Sequence, residues 1–397
     1  MIQAWMLDLL NFALAGAREG FGPFLGVFLQ SRNFDPASTG LAMSVAGIAG
    51  MLATGPLGAL IDATRAKRAA MVVAVAVIAV GAVLIVATDK LWLVGVGQVL
   101  IGVADASLAP LVAALTLGLV GRQAYVGRVS RNEAFNHAGN AANAAFAALL
   151  GYWLGLGWVA AGIVVMAIAT SVVVLRINPK TIDHREAAGG EASDPAWKVL
   201  GASKPLLLLA GVVFVFETAN GAMLPFLAQA LTAAGRDPSL TTGAMTVVAQ
   251  IAMIGASLVA PRLGVRFGRR AVLGAALATV VLRAGLAAFS GALPVIAAIQ
   301  LLEGLSMGLA GVAIPALVVG MMAGTGHAGA GLGAVMTAFG AGAALSPIVA
   351  GSVAQFAGFP AAFLTLGVMA LGGLAIWVTG TTLEGRAARH AGVPPLL

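Results

Sequence analysis

The chain has 397 residues, 60% of them hydrophobic and only 9% charged, with a formal net charge of +7 and a mean hydropathy of +0.99. That balance excludes a water-soluble globule and predicts an all-α integral membrane protein. The absence of cysteine excludes disulfides and thiolate metal sites, and in so apolar a chain the basic excess speaks through its placement, not as a sign of a nucleic-acid partner.

A hydrocarbon core about 30 Å thick needs roughly 20 helical residues, and about twelve segments meet that demand. In chain order they fall near 5–30, 38–61, 69–88, 91–120, 129–154, 157–175, 204–231, 241–260, 271–290, 293–322, 328–354 and 359–381. Long apolar runs without a two-residue alternation read as helices rather than barrel strands. The N-terminus lacks the basic region of a cleavable signal, so the first span is expected to remain. One polar break is long, "INPKTIDHREAAGGEASDPAWKVLGASK", and it is the predicted cytoplasmic linker. It sets six-helix bundles at 1–176 and 204–382 on either side of residues 177–203, with a cytoplasmic tail at 383–397. Lysines and arginines crowd the ends of the even-numbered spans, whereas the opposite side holds Arg32, Lys90 and Arg236. The asymmetry predicts that both termini face the cytoplasm.

Ionisable side chains at bilayer depth cost from about 2.5 kcal/mol upward, so those inside spans are expected to face the bundle interior. In the first span Asp8, Asn11, Arg18 and Glu19 project within about 100° of one another. Arg18 is expected to meet Asp105 of the fourth span or Glu133 of the fifth, either in substrate binding and coupling or as a structural ion pair. The fifth span carries the most polar stretch, "SRNEAFNHAGNAAN". Wound as a helix, Glu133, Asn136, His137, Asn140 and Asn143 fall within roughly 120°. That edge reads as cavity lining, with interhelical hydrogen bonding as the alternative. Ala134, Phe135, Ala138, Ala141 and Ala142 take the other side, where close helix packing is expected. Arg131, about a turn from the cytoplasmic end, suits snorkelling or a gate. His137 suits proton exchange and hydrogen bonding to solute equally. The seventh span contributes Glu217 and Asn220, the tenth Glu303, and the ninth Arg283, which is expected to pair structurally with Glu217 or Glu303. A carboxylate that moves between a dry site and an arginine can load and release a proton, so Asp105, Glu133, Glu217 and Glu303 are the candidates for proton coupling. No metal-ligand spacing occurs among the histidines, and no cofactor motif is present.

Sliding the chain on itself by 202 positions aligns Pro23 to Leu25 with Pro225 to Leu227, Lys67 and Arg68 with Arg269 and Arg270, and "QVLIG" at Gln98 with "QLLEG" at Gln300. Three matches at one offset predict two homologous halves. With its cytoplasmic break "GALIDATRAKR", carrying Gly58, Asp62, Lys67 and Arg68, and the counterpart "RFGRR", the chain resembles the major facilitator superfamily over nearly its full length. The resemblance implies two pseudo-symmetric six-helix bundles around a central cavity, alternating access, monomers, and a latch made by Gly58, Asp62, Lys67, Arg68, Arg269 and Arg270. A purely topological role for those residues is the plainer alternative. The helix-four arginine of the family is replaced by Gln98.

The resulting expectation is a secondary transporter in the inner (plasma) membrane, without a cofactor, whose partners are protons, lipid bilayer and a small polar or amphipathic organic solute. Arg18, Glu19, Asn136, His137, Asn140, Asn143 and Asn220 are expected to bind the solute. Proton-coupled efflux is preferred, with import of an organic anion or nutrient as the alternative. A membrane enzyme or sensor is the reading from another class. No nucleophile and base converge on the histidine-bearing face, and linker and tail are too short to fold alone.

Overall fold

A computed structural model describes residues 2–18, 21–183, 203–322 and 328–390. Glu19, residues 184–202 of the predicted linker and residues 391–397 of the predicted tail lie outside the described residues, as does the Asp62 side chain. Among the described residues the regular structure is helical. The helices are α1 (Ile2–Arg18), α2 (Phe24–Ser31), α3 (Pro36–Ala63), α4 (Lys67–Val86), α5 (Leu91–Leu154), α6 (Val159–Arg176), α7 (Lys204–Asn220), α8 (Met223–Ala233), α9 (Pro238–Phe267), α10 (Arg269–Phe289), α11 (Leu293–Met321) and α12 (Ala328–His390).

The predicted repeat governs where helices begin. α1 and α7, α3 and α9, α4 and α10, and α5 and α11 start 202 residues apart. The local chemistry repeats with them. Asp35 accepts a hydrogen bond from the Ser38 backbone N–H at 2.8 Å, and Asp237 accepts one from Leu240 at 2.8 Å. A proline follows each capping aspartate, in the first turn where its missing N–H costs nothing. The turn before each cap needs a positive φ, 63° at Asn33 and 84° at Gly235.

Six expected spans differ in detail. The segments expected at 91–120 and 129–154 are two helices that meet without a loop, together labelled α5, at a kink on Gly121 with φ 72° and ψ 170°. Those expected at 328–354 and 359–381 join in α12 through Gly358 at φ 82°. A single glycine in a left-handed conformation redirects the chain without any loop. Conversely, the spans expected at 5–30 and 204–231 are each divided, between α1 and α2 and between α7 and α8. Pro23 caps α2, and Pro225 lies in the first turn of α8, where each removes a backbone donor. At the second break the Ala222 N–H donates to Ser346 Oγ at 2.8 Å, so the interrupted backbone remains satisfied away from water.

Nine helices among the described residues are long and apolar enough to cross a membrane. One of them, Gly331–Thr382, has 52 residues, the length of two crossings. The expected spans at 5–30 and 129–154 fall outside that set; they carry Asp8 and Arg18 in one case, and Arg131 and Glu133 in the other.

The chain divides into two compact units, Met1–Glu191 with Ala228–Val247, and Ala192–Leu227 with Val248–Leu397. In the first, α5 packs along α1, α3 and α4, and α6 against α1 and α4. In the second, α12 packs on α7 and α10, and α10 on α11. Each unit has a backbone-to-backbone crossing at the glycine that ends the repeated motif. A Cβ on Gly102 would lie 2.0 Å from the Ala46 carbonyl oxygen, and one on Gly304 would lie 2.3 Å from that of Ala249.

Candidate functional site

In the first unit, α1 meets the second half of α5 along a polar seam. Near the start of that half, Asp8 accepts hydrogen bonds from two arginines. Arg128 Nη2 lies 2.5 Å from Asp8 Oδ1, while Arg131 grips both carboxylate oxygens at 3.0 and 2.7 Å. Arg128 Nε in turn donates to Asn132 Oδ1 at 2.8 Å, and Asn132 Nδ2 to Thr116 Oγ1 at 2.9 Å. The Asp8 and Arg128 side chains are 5% and 7% exposed, whereas Arg131 is 59% exposed. Removing two charges from solvent is costly unless they are well paired, and this network satisfies both. Arg131 thus holds Asp8, a contact that its place on the helix did not reveal. Arg128, one residue before the span expected at 129–154, is inside the helix, and its i, i+4 spacing to Asn132 is the signal in the sequence.

Further along α1, Arg18 donates from Nε to Asp105 Oδ1 at 2.7 Å and from Nη2 to Oδ2 at 3.3 Å, which selects Asp105 over Glu133 as its partner. This pair is different in kind, because its side chains are 33% and 37% exposed. The asparagine edge of α5 turns toward α1. Asn140 is buried, Asn136, His137 and Asn143 are half-buried, and Glu133 is exposed. The sites of closest approach are on this edge. A Cβ on Gly139 would lie 2.4 Å from the Phe12 carbonyl oxygen, and Asn143 Oδ1 lies 3.2 Å from the corresponding position on Gly16. The expectation of close packing on the alanine side is thereby corrected, since Ala134, Ala138 and Ala142 are exposed. Glycine, not alanine, permits the approach, and it lies among the asparagines.

In the second unit a separate cluster joins α7, α10 and α11. Arg283 is fully buried and contacts Glu303 Oε2 through Nη1, which also donates to Asn220 Oδ1 at 2.6 Å. Asn220 Nδ2 reaches the Met307 sulfur at 3.3 Å. Glu217 lies one turn before Asn220 on α7 and is buried. The repeat relates parts of the two sites. Arg18 and Asp105 correspond to Asn220 and Met307, 202 residues on, so a charged pair in one unit occupies the place of a neutral contact in the other.

The residues of the two basic loops bond backbone carbonyls of helices in their own units. Lys67 Nζ donates to the Ile61 and Thr64 carbonyls at 2.8 and 3.0 Å, and Arg68 to Leu175 at 2.8 Å. Arg269 donates to the Ala316 carbonyl at 2.9 Å, and Arg270 to Thr381 at 3.0 Å. Lys67 and Arg68 meet orphan carbonyls and the negative end of the helix dipole, whereas Arg269 and Arg270 bond carbonyls before the ends of α11 and α12. Gly58 has open space around its Cβ position.

A family model described as the MFS_1 like family matches residues 4–365. An uncharacterized MFS-type transporter of Mycobacterium tuberculosis is 38% identical over 384 residues, covering 94% of this chain and 91% of the relative. Among solved structures, a variant of the nucleoside transporter NupG aligns with a TM-score of 0.76 at 17% identity, covering 95% of this chain and 98% of its own. A bacterial homologue of the human lysosomal transporter Spinster, in an inward-facing and occupied conformation, aligns with a TM-score of 0.73 at 12% identity over 95% of this chain and 96% of its own. The human organic anion transporter MFSD10 aligns at 0.64 and 18% identity over 95% of this chain and 98% of its own. At those identities the solved structures speak for the fold alone. The family match and the close relative carry the assignment: the chain belongs to the major facilitator superfamily, as a multi-pass membrane transporter of a small molecule and not an enzyme.

Proposed function

We propose that this protein is a proton-coupled secondary transporter that exports a small polar or amphipathic organic solute by alternating access. Two six-helix halves, 1–176 and 204–382, would rock about the linker at 177–203, with both termini in the cytoplasm and a monomer in the inner membrane bilayer. The observation that carries the reading is the Arg18–Asp105 pair, a bidentate ion pair inside helices yet about one-third exposed. Exposed pairs contribute at most about 1 kcal/mol to stability, so this one has little structural reason to exist where charge is costly. Beside it, Asn136, His137, Asn140 and Asn143 offer donors and acceptors along one edge, and Asn220 does so in the second unit. Asp105, Glu133, Glu217 and Glu303 are the carboxylates through which a proton gradient acts. The loop residues Gly58, Asp62, Lys67, Arg68, Arg269 and Arg270 form the latch, a role supported by the hold of four of them on backbone carbonyls of neighbouring helices.

Reconstitution into proteoliposomes with an imposed pH gradient tests the reading. Because similar folds carry the names of a nucleoside and an organic anion transporter, those two classes are the first solutes to screen. Solute is expected to move up its gradient in exchange for protons, and movement with the protons would instead make the protein an importer. Solute flux that neither responds to the gradient nor drops with a protonophore defeats proton coupling. The chain has no cysteine, so single cysteines placed at Arg65 and at Arg236 report topology without background. The first is expected to be labelled from the cytoplasm and the second from outside.

A further inference from the structure

The end of α9 and the start of α10 carry Arg262, Arg266, Arg269 and Arg270 without a counter-charge. Between Asp237 and Glu303 the sequence has no acidic residue, and after Glu303, which Arg283 engages, none occurs before Glu384. Arg262, Arg266 and Arg269 are exposed. Beside them the second unit has a cleft of about 220 Å³, bounded by Pro261, Gly264 and Val265 of α9, Val272 of α10, and Val312 and Ala316 of α11. Its walls are aliphatic, and Arg269 is the one charged residue on them. The Arg269 stem runs along this cleft, with Cγ 3.8 Å from the Cβ position of Gly264, and Nη1 donates to the Ala316 carbonyl at 2.9 Å. That is its one hydrogen bond among the described residues, so Nε and Nη2 remain to be used. The lip mixes apolar and cationic groups in the same way. Val265 is 90% exposed and Phe267 59%, and the Arg266 guanidinium lies 5.0 Å from the centre of the Phe267 ring. Such a mixture at a helix end suits the level where acyl chains give way to headgroups.

The first unit shows that the scaffold does not require this arrangement. At the repeat offset Arg262, Gly264, Arg266 and Arg269 correspond to Leu60, Asp62, Thr64 and Lys67. Two arginines are missing there and an aspartate is present. Lys67 is 1% exposed and donates to the Ile61 and Thr64 carbonyls, whereas Arg269 faces out. Val312 and Ala313 correspond to Pro110 and Leu111, the latter fully buried. Charge that serves only to fix topology needs no cavity beside it. The second unit has both the unopposed charge and the cavity.

We propose that this cleft binds one anionic phospholipid from the leaflet that borders residues 262–270. The lipid phosphate sits on Arg266 and Arg269, whose planar N–H forks match its oxygens. Arg262, one turn earlier on α9, adds positive charge. The first part of an acyl chain lies in the cleft against Pro261, Val265, Val272 and Val312. A free phosphate would use the arginines alone, and the aliphatic walls are what select a lipid. The site is independent of the transport cycle and needs only that the chain spans a bilayer.

Native mass spectrometry of the full chain in detergent, with phosphatidylglycerol and phosphatidylcholine offered at equal concentration, counts the lipid that stays bound. The wild type is expected to retain one phosphatidylglycerol with a preference of at least about fivefold over phosphatidylcholine. Val265→Asp sets a carboxylate at the lip, on a side chain that packs against almost nothing, and should abolish the preference; Val265→Asn should keep it. Val312→Phe fills the cleft with every arginine in place and should also lose the lipid. Arg65→Gln removes an equal charge from the first-unit loop and should change nothing. Inorganic phosphate added in excess should not displace the lipid. A preference that survives both Val265→Asp and Val312→Phe overturns the site. Equal loss in Arg65→Gln reveals diffuse surface attraction and overturns it too, and displacement by inorganic phosphate makes it an anion site without a lipid. Because binding is read without solute or pH gradient, none of these results bears on proton-coupled transport.

Discussion

Two ion pairs in the first unit look alike in sequence and differ in burial, and the difference sorts their roles. Asp8 and Arg128 are almost completely covered. Removing one member of such a pair strands a buried charge, so Arg128→Ala should cost about 3–5 kcal/mol, partly offset because Arg131 still contacts Asp8. Arg18 and Asp105 are about one-third exposed, and Arg18→Gln should cost less than about 1 kcal/mol. Thermal unfolding in detergent is expected to separate the two variants clearly. Transport should rank the other way, with Arg18→Gln inactive although folded. Equal loss of stability in both variants contradicts the functional assignment of the exposed pair. Gly58 offers a matching control. Its Cβ position is open, so Gly58→Ala should fold as the wild type does, and a slower transport cycle would then report on the latch.

Crossings and caps decide whether each element forms. Gly102 and Gly304 let two helices touch backbone to backbone, and any side chain there must move a carbonyl rather than a flexible neighbour. Overpacking of this kind typically costs about 1–3 kcal/mol, and more where backbone is met. Gly102→Ala and Gly304→Ala are both expected to lower the unfolding midpoint, while Gly55→Ala, with nothing near its Cβ position, is expected to leave it unchanged. Asp35 caps α3, and the Ser38 backbone N–H, helped by the Ser38 hydroxyl, holds its carboxyl below the ordinary range. Since the folded value lies below the unfolded one, near 4, the charge contribution is complete above the unfolded value and is lost as pH falls through the folded one. Asp35→Asn keeps the capping geometry and removes the charge. The stability difference between it and the wild type should therefore shrink on acidification from about pH 6 toward pH 3, and a difference that grows would contradict the sign.

At the scale of the molecule, duplication supplies the scaffold and divergence supplies the chemistry. Helix starts, aspartate caps and glycine crossings recur at the repeat offset. The charged residues inside the spans do not. The fifth-helix seam of the first unit has Asp8 and Arg128, while the second unit concentrates its charges at Glu217, Arg283 and Glu303. The replacement Arg18→Asn with Asp105→Met gives the first unit the residues that the second already accommodates at Asn220 and Met307. That double variant should unfold within a few degrees of the wild type and fail to transport. If it transports, the asymmetry at these two positions is not what makes the first unit a binding half.

The amino-acid sequence by itself determined that this is a membrane protein of about a dozen helices in two related halves, and which polar residues lie inside the spans. Those properties are local or periodic; they depend on run length, helical angle and self-similarity along the chain, and each can be read without knowing any neighbour. Which charges meet was decided only by tertiary structure. Arg18 met Asp105 and not Glu133, Asp8 gathered Arg128 and Arg131, and Arg283 lay between Glu303 and Asn220. Partners 20 to 123 residues apart are chosen by the rotation of each helix about its axis and by the depth at which it crosses the next. Glycines such as Gly102 and Gly139 set that depth, because they allow backbones to approach at the few points where no side chain intervenes.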